Sequence, residues 1–210
     1  FTMSNVLFIK ANSRPIDQAV SVKLYQAFLD SYRGSHPQDQ ITELDLFNEN
    51  LPYYNTNMIN GMFKLAKGME LTAEEQGATE IVTNYLNQFL AADKIVIAFP
   101  LWNFTVPAVL HTYFDYLSQA GQTFKYTAEG PVGLITDKKV VLLNARGGVY
   151  SEGPAQSVEM AVKYVQNVLG FWGIQDPTTI IVEGHNQFPD QAEAIIAEGI
   201  EKAQKAAKEF

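Results

Sequence analysis

The stretch Lys94-Ile95-Val96-Ile97-Ala98-Phe99, running into Pro100-Leu101-Trp102-Asn103-Phe104-Thr105-Val106-Pro107, decides the fold class. Six residues without apolar/polar alternation read as a strand covered on both faces, as in a parallel sheet. The helical period that follows, through Val106, Val109, Leu110, Tyr113 and Leu117, supplies the crossover that parallel strands require. Pro107 suits a first helical turn, so a helix is expected from near Thr105.

Working outward, the same strand-then-helix unit recurs. Further strands are expected over Asn5 to Ile9, Gln40 to Asp45, Lys138 to Asn144 and Thr178 to Glu183. In the second, Ile41, Leu44 and Leu46 are interleaved with polar residues, which suits a strand nearer the sheet edge. Helical periods run through Val20, Leu24, Ala27 and Phe28, and through Ala78, Ile81, Val82, Tyr85 and Phe89. Others run through Val158, Ala161, Val162, Val165, Val168 and Leu169, and finally through Ile195, Ile196, Ile200 and Ala203. Five alternations imply right-handed crossovers and a doubly wound α/β sheet. The segment Leu46 to Leu71 interrupts the rhythm with a loop at Leu51–Asn55 and a helix-like run carrying Met58, Ile59, Met62, Phe63 and Leu65. Packing on its own domain, a subunit interface and a pocket wall all remain open for it.

The chain has 210 residues, 47% of them hydrophobic and 18% charged, which suits one folded domain spanning 3–210. Phe1 and Thr2 precede Met3 and are set aside as lying outside the native fold. Cysteine is absent, which excludes disulfides and thiolate-held metals and fits a cytoplasmic location. A net charge of -8 argues against a nucleic acid partner. No apolar run approaches the roughly 20 residues that span a bilayer, so no membrane partner is expected.

Open parallel sheets bind ligands beyond the carboxyl ends of their strands. Three loops lie there. After strand one, Lys10-Ala11-Asn12-Ser13-Arg14-Pro15-Ile16-Asp17-Gln18-Ala19-Val20-Ser21 has no glycine, which excludes a dinucleotide turn. It offers Asn12, Ser13, Ser21 and a helix start suited to a monophosphate, or else plain N-capping by Asp17 or Ser13. After strand three, Trp102 and Phe104 bracket Asn103, a set that suits a flat ring with a polar edge, or else Trp102 merely covers the core. After strand four comes Asn144-Ala145-Arg146-Gly147-Gly148-Val149-Tyr150. Its paired glycines could direct N–H groups at the N1 and C2-carbonyl edge of a reduced flavin, or form a simple turn. Together the three loops favour flavin mononucleotide over other ligands.

At this point the motifs resemble a known family. Pro100 to Leu110, Phe124 to Leu134 and Ala145 to Gly148, together with Leu169 to Ile174, are similar to the FMN-dependent NADH:azoreductases, bacterial relatives of the NAD(P)H:quinone reductases. The resemblance extends over essentially the whole chain from Met3. It implies a flavodoxin-like five-stranded parallel sheet of order 2-1-3-4-5 with helices on both faces, and a homodimer. It also implies one FMN per subunit, reduced by NADH or NADPH and reoxidised by an azo compound or quinone in ping-pong fashion. Carried over by position, Pro100, Leu101, Trp102, Asn103 and Phe104 with Asn144, Ala145, Arg146, Gly147, Gly148 and Tyr150 hold the ring system. Asn12, Ala19, Val20 and Ser21 hold the phosphate and ribityl end. Tyr126 and Phe171 face the acceptor.

Because the cofactor carries hydride chemistry itself, no catalytic acid–base pair and no metal are expected. His36, His111 and His185 read as structural or solvated, and proton delivery from water or Tyr150 stays open. A flavodoxin-type electron carrier is the rival, sharing the fold and FMN without an NADH site. A serine hydrolase is set aside, since no G-x-S-x-G elbow is present. Arg14, Lys125 and Arg146 are the cations that could meet a 2′-phosphate.

Overall fold

A computed structural model describes residues 2–210; Phe1 lies outside the described residues. The elements run β1 Asn5–Lys10, α1 Val20–Ser35, β2 Gln40–Asp45, α2 Thr56–Ala66, α3 Ala73–Ala91, β3 Lys94–Pro100 and α4 Ala108–Leu117. There follow β4 Phe124–Thr127, β5 Gly130–Gly133, β6 Lys139–Arg146, α5 Val162–Phe171, β7 Thr178–Glu183 and α6 Ala192–Glu209. Five strands form one parallel sheet of order β2-β1-β3-β6-β7, the expected 2-1-3-4-5 once the β4–β5 hairpin is left out. The polar-interleaved β2 is an edge strand.

Alternate strand residues divide the core. Leu7, Ile9, Ile95, Ile97, Phe99 and Leu142 pack with Phe89 of α3, Leu110 and Phe114 of α4, and Val165 and Leu169 of α5. Their neighbours Val6, Phe8, Val96, Ala98, Val141 and Leu143 pack with Leu24 and Phe28 of α1 and Ala203 and Ala207 of α6. That division is why the strand runs lack polar alternation: each successive side chain is buried against a different helix set.

Two helix starts differ from expectation. Pro107, with φ -54° and ψ 141°, is the N-cap of α4, so the helix begins at Ala108 rather than near Thr105. Thr105 instead pairs back to Trp102 through two backbone hydrogen bonds of 2.9 and 3.2 Å. Val158 ends a short 3₁₀ turn, and α5 begins only at Val162. The buried Glu159 carboxylate accepts from the N–H groups of Ala161, Val162 and Lys163 at 3.0, 2.7 and 3.2 Å, setting that start. The interrupting segment forms α2, capped by Asn55 accepting from Met58 N at 3.1 Å. Met58 packs with Val82 and Tyr116, whereas Ile59, Phe63 and Leu65 are exposed. One face of α2 therefore packs on its own domain and the other is free.

The β4–β5 hairpin docks where the chain leaves α5. Ile135 N donates to Trp172 O at 3.0 Å, and a Cβ on Gly133 would overlap the backbone of Trp172 and Gly173. Gly133→Ala should cost about 2 kcal/mol, a typical overpacking penalty, read as a fall in the midpoint of a denaturant titration. No change in midpoint would mean the hairpin docks loosely.

Candidate functional site

A cleft of about 450 Å³ opens at the carboxyl ends of β1, β3, β6 and β7. Of the residues expected from the sequence, Asn12, Ala19, Val20, Ser21, Pro100, Leu101, Trp102, Ala145, Arg146 and Gly147 line it together.

Its first wall is the start of α1. Ala19 takes extended N-cap geometry, but no side chain caps the helix and its first turn carries no acidic residue. Neither Asp17 nor Ser13 fills the cap. The first-turn N–H groups, which have no intrahelical acceptors, therefore meet the cleft at the positive end of a sixteen-residue helix. Asn12 is buried and serves the loop's shape: its Nδ2 donates to Ser21 Oγ at 2.9 Å, and its Oδ1 accepts from Arg14 N at 3.0 Å.

The second wall is the 100–107 loop. Leu101 N donates to Ala145 O at 3.0 Å, joining this loop to the next. Trp102 stands outside the main core clusters and separates the cleft from an apolar groove of about 690 Å³ bordered by Phe47, Tyr53 and Val106. It is a partition between two hollows rather than a lid on the core. Asn103 and Phe104 form the turn at φ 50° and 74°, a region that bulky side chains rarely adopt. Such stored strain persists only where surroundings enforce it. Here Met160 N donates to Phe104 O at 2.8 Å, and Thr105 Oγ1 donates to Met160 O at 3.2 Å. Asn103 faces the groove and both turn residues are exposed.

The third wall is the end of β6. Gly147 N and Gly148 N donate to no acceptor among the described residues. Gly147 is glycine because a Cβ would overlap the Asn186 side chain. Arg146 is buried, and its guanidinium is engaged by Glu183 Oε2 at 3.0 Å and Glu159 Oε1 at 3.3 Å. That engagement removes Arg146 from any role on a 2′-phosphate. Asn144 is fully buried, donating to Phe99 O at 2.9 Å, and Gly148 and Tyr150 lie beyond the cleft lining.

With that geometry in hand, comparison with known proteins decides the family: a family model described as flavodoxin-like fold matches residues 4–207. The chain belongs to the flavodoxin-like family. It is 65% identical over 208 residues to the FMN-dependent NADH:quinone oxidoreductase of Brevibacillus brevis, covering 99% of this chain and 100% of that one. The crystal structure of azoreductase from Bacillus anthracis str. Sterne superposes with a TM-score of 0.97 at 64% identity, covering 99% and 100% of the two chains. An FMN-dependent NADH-azoreductase from Bacillus anthracis str. Ames Ancestor, solved in complex with FMN, gives 0.89 at 29% identity, covering 99% of each chain.

This flavodoxin-like cleft has a fourth wall that sequence reading missed, the 184–188 loop after β7. His185 and Asn186 line the cleft, and Asn186 N and Gln187 N donate to Gly147 O at 3.0 and 3.1 Å. His185 Nδ1 is buried without a hydrogen-bond partner among the described residues, and burial pushes the imidazole below its ordinary pKa. The available signal was positional: this loop also follows a parallel strand at the same sheet edge. Burial would raise the Glu183 carboxyl, but donors from Ser151 Oγ, Tyr150 N and Arg146 outweigh it and hold the group below its ordinary value.

Tyr126 and Phe171 do not line the cleft. They form a separate aromatic group about Phe124, with ring centroids 5.4 and 4.5 Å from it, and Tyr126 is 73% exposed. Among the described residues of this flavodoxin-like chain, no helix is long and apolar enough to cross a membrane.

Proposed function

We propose that this chain is an FMN-dependent oxidoreductase that accepts hydride from NADH and reduces quinones and azo compounds. Residues 3–210 act as one unit, with helices over both faces of the sheet. The observation that carries the proposal is the uncapped, acid-free start of α1 sharing one cleft with Gly147, whose N–H has no acceptor among the described residues, and with Trp102. A phosphate, a polar pyrimidine edge and a flat ring need those three surfaces. The unpartnered His185 Nδ1 adds a polar atom with capacity for one more contact at the same cleft.

Ala19, Val20 and Ser21 would hold the phosphate through backbone N–H groups, with Asn12 fixing their loop. Pro100, Leu101 and Trp102 would support the ring, with Asn103 and Phe104 at its rim. Ala145 and Gly147 would meet its polar edge, with Asn144, Arg146, Gly148 and Tyr150 supporting them. When bound, FMN supplies the two-electron chemistry; the protein supplies position, stacking surface and exclusion of water. Nicotinamide and acceptor share one open ring face, which forces them to alternate. Ping-pong kinetics follow, and intersecting double-reciprocal lines at varied NADH and quinone would contradict a shared face. The names of the relatives favour NADH over NADPH as donor.

A homodimer accounts for two features together: the exposed apolar face of α2, and Tyr126 and Phe171 standing away from their own cleft. A cytoplasmic location accords with the absence of cysteine. The rival electron-carrier reading is separated by mixing the FMN-loaded protein with NADH. Loss of the flavin absorbance within seconds is expected; persistence of the oxidised spectrum would select the carrier.

A further inference from the structure

Five consecutive N–H groups follow β6, and the fold divides them sharply. Those of Gly147 and Gly148 have no acceptor among the described residues. The next three are all taken by side chains of the β7 end: Val149 N donates to Gln187 Oε1 at 2.9 Å, and Tyr150 N and Ser151 N donate to Glu183 Oε2 at 2.9 and 3.2 Å. Ser151 Oγ donates to the same carboxylate. Glu183 is in turn held by Arg146 Nε at 3.0 Å, and Arg146 is tied through Nη1 to Glu159, which caps α5. Gln187 N also donates to Gly147 O, so the clamp grips the glycine from its carbonyl side.

We infer that Glu183 and Gln187 are positioning residues that clamp residues 149–151, so that the Gly147–Gly148 turn keeps its course and Gly147 stays at the cleft for the cofactor's polar edge. The inference rests on the FMN reading above. Without the two acceptors, the N–H groups of 149–151 would seek water or other partners and the loop would lose its fixed course. Binding would then bear the entropy of ordering it. The glycines cannot hold this course alone, since they have the widest backbone freedom of any residue.

The test is FMN affinity of the full-length apoprotein, read by quenching of flavin fluorescence well below the melting temperature, with apoprotein melts alongside. Glu183→Ala is expected to raise the FMN Kd at least about tenfold, and Gln187→Ala about threefold. Glu183→Gln keeps an acceptor oxygen for the Tyr150 and Ser151 N–H groups and should recover most of the affinity lost in Glu183→Ala. A merely structural role would lower the apoprotein melting temperature and leave Kd at wild-type values. Wild-type Kd in Gln187→Ala, whose exposed side chain carries little folding risk, overturns the clamp even if Glu183→Ala does not fold. Failure of the wild-type protein to bind FMN overturns the cofactor reading instead.

Discussion

Ala19→Asp should raise the FMN Kd about a hundredfold without making the apoprotein more stable. Ala19 already has N-cap backbone geometry, with φ -134° and ψ 116°, and lacks only a side-chain acceptor. Aspartate supplies one. A filled cap is worth about 1 kcal/mol, but Ala19 is 4% exposed, so burying a carboxylate there offsets that gain. The same carboxylate would take N–H groups that the phosphate needs and would set a like charge beside it. A hundredfold loss corresponds to about 2.7 kcal/mol. That is modest against the roughly 4 kcal/mol of Coulomb energy between unit charges 4 Å apart in a partly solvated site. Ala19→Asn provides the control: it gives the cap without the buried charge, so it should be more stable than Ala19→Asp with a much smaller loss of affinity. Differential scanning calorimetry of the apoproteins and fluorescence titration with FMN measure the two quantities. Unchanged affinity in Ala19→Asp would remove α1 from the phosphate site.

Arg146→Leu should destabilise the protein by about 3–5 kcal/mol, lowering its melting temperature by on the order of 10 °C. Arg146 is 4% exposed, and its guanidinium stands between two carboxylates, Glu159 at 3.3 Å and Glu183 at 3.0 Å. Removing it strands both in a region where an unpaired charge is poorly solvated. Each carboxylate also organises a backbone turn, Glu159 the start of α5 and Glu183 the 150–151 segment, so the damage extends to both. Adding Glu183→Gln to Arg146→Leu should restore part of the loss, because one stranded charge disappears. Thermal melts of the single and double variants form the measurement. A loss below about 1 kcal/mol would show that the network tolerates solvent entry.

The α/β architecture, the edge position of β2 and the three loops of the cleft are legible in the order of residues alone. These follow from short-range facts: apolar runs, helical periods, and the rule that ligands sit beyond parallel strand ends. Ser21 is legible in the loop, whereas Ala19 and Val20 follow only from the family resemblance, because nothing local distinguishes an open helix start from one capped by Asp17.

The remaining features depend on partners far apart in the chain. Arg146 and Glu183 are 37 residues apart, and their pairing turns an arginine expected at the ring into an internal strut. Glu159 shortens α5 because its carboxylate folds back on the N–H groups beyond it, which the apolar period through Val158 does not encode. His185 and Asn186 join the cleft because β7 lies beside β6 in register, with Arg146 opposite Glu183. Tyr126 stands away from it on the hairpin that docks on α5's exit, and Phe171 stands away from it at the last residue of α5. Periodicity reports which face of an element is buried, and it cannot report which charged group meets which. That is settled only when strand order and register bring distant side chains within about 3 Å of each other.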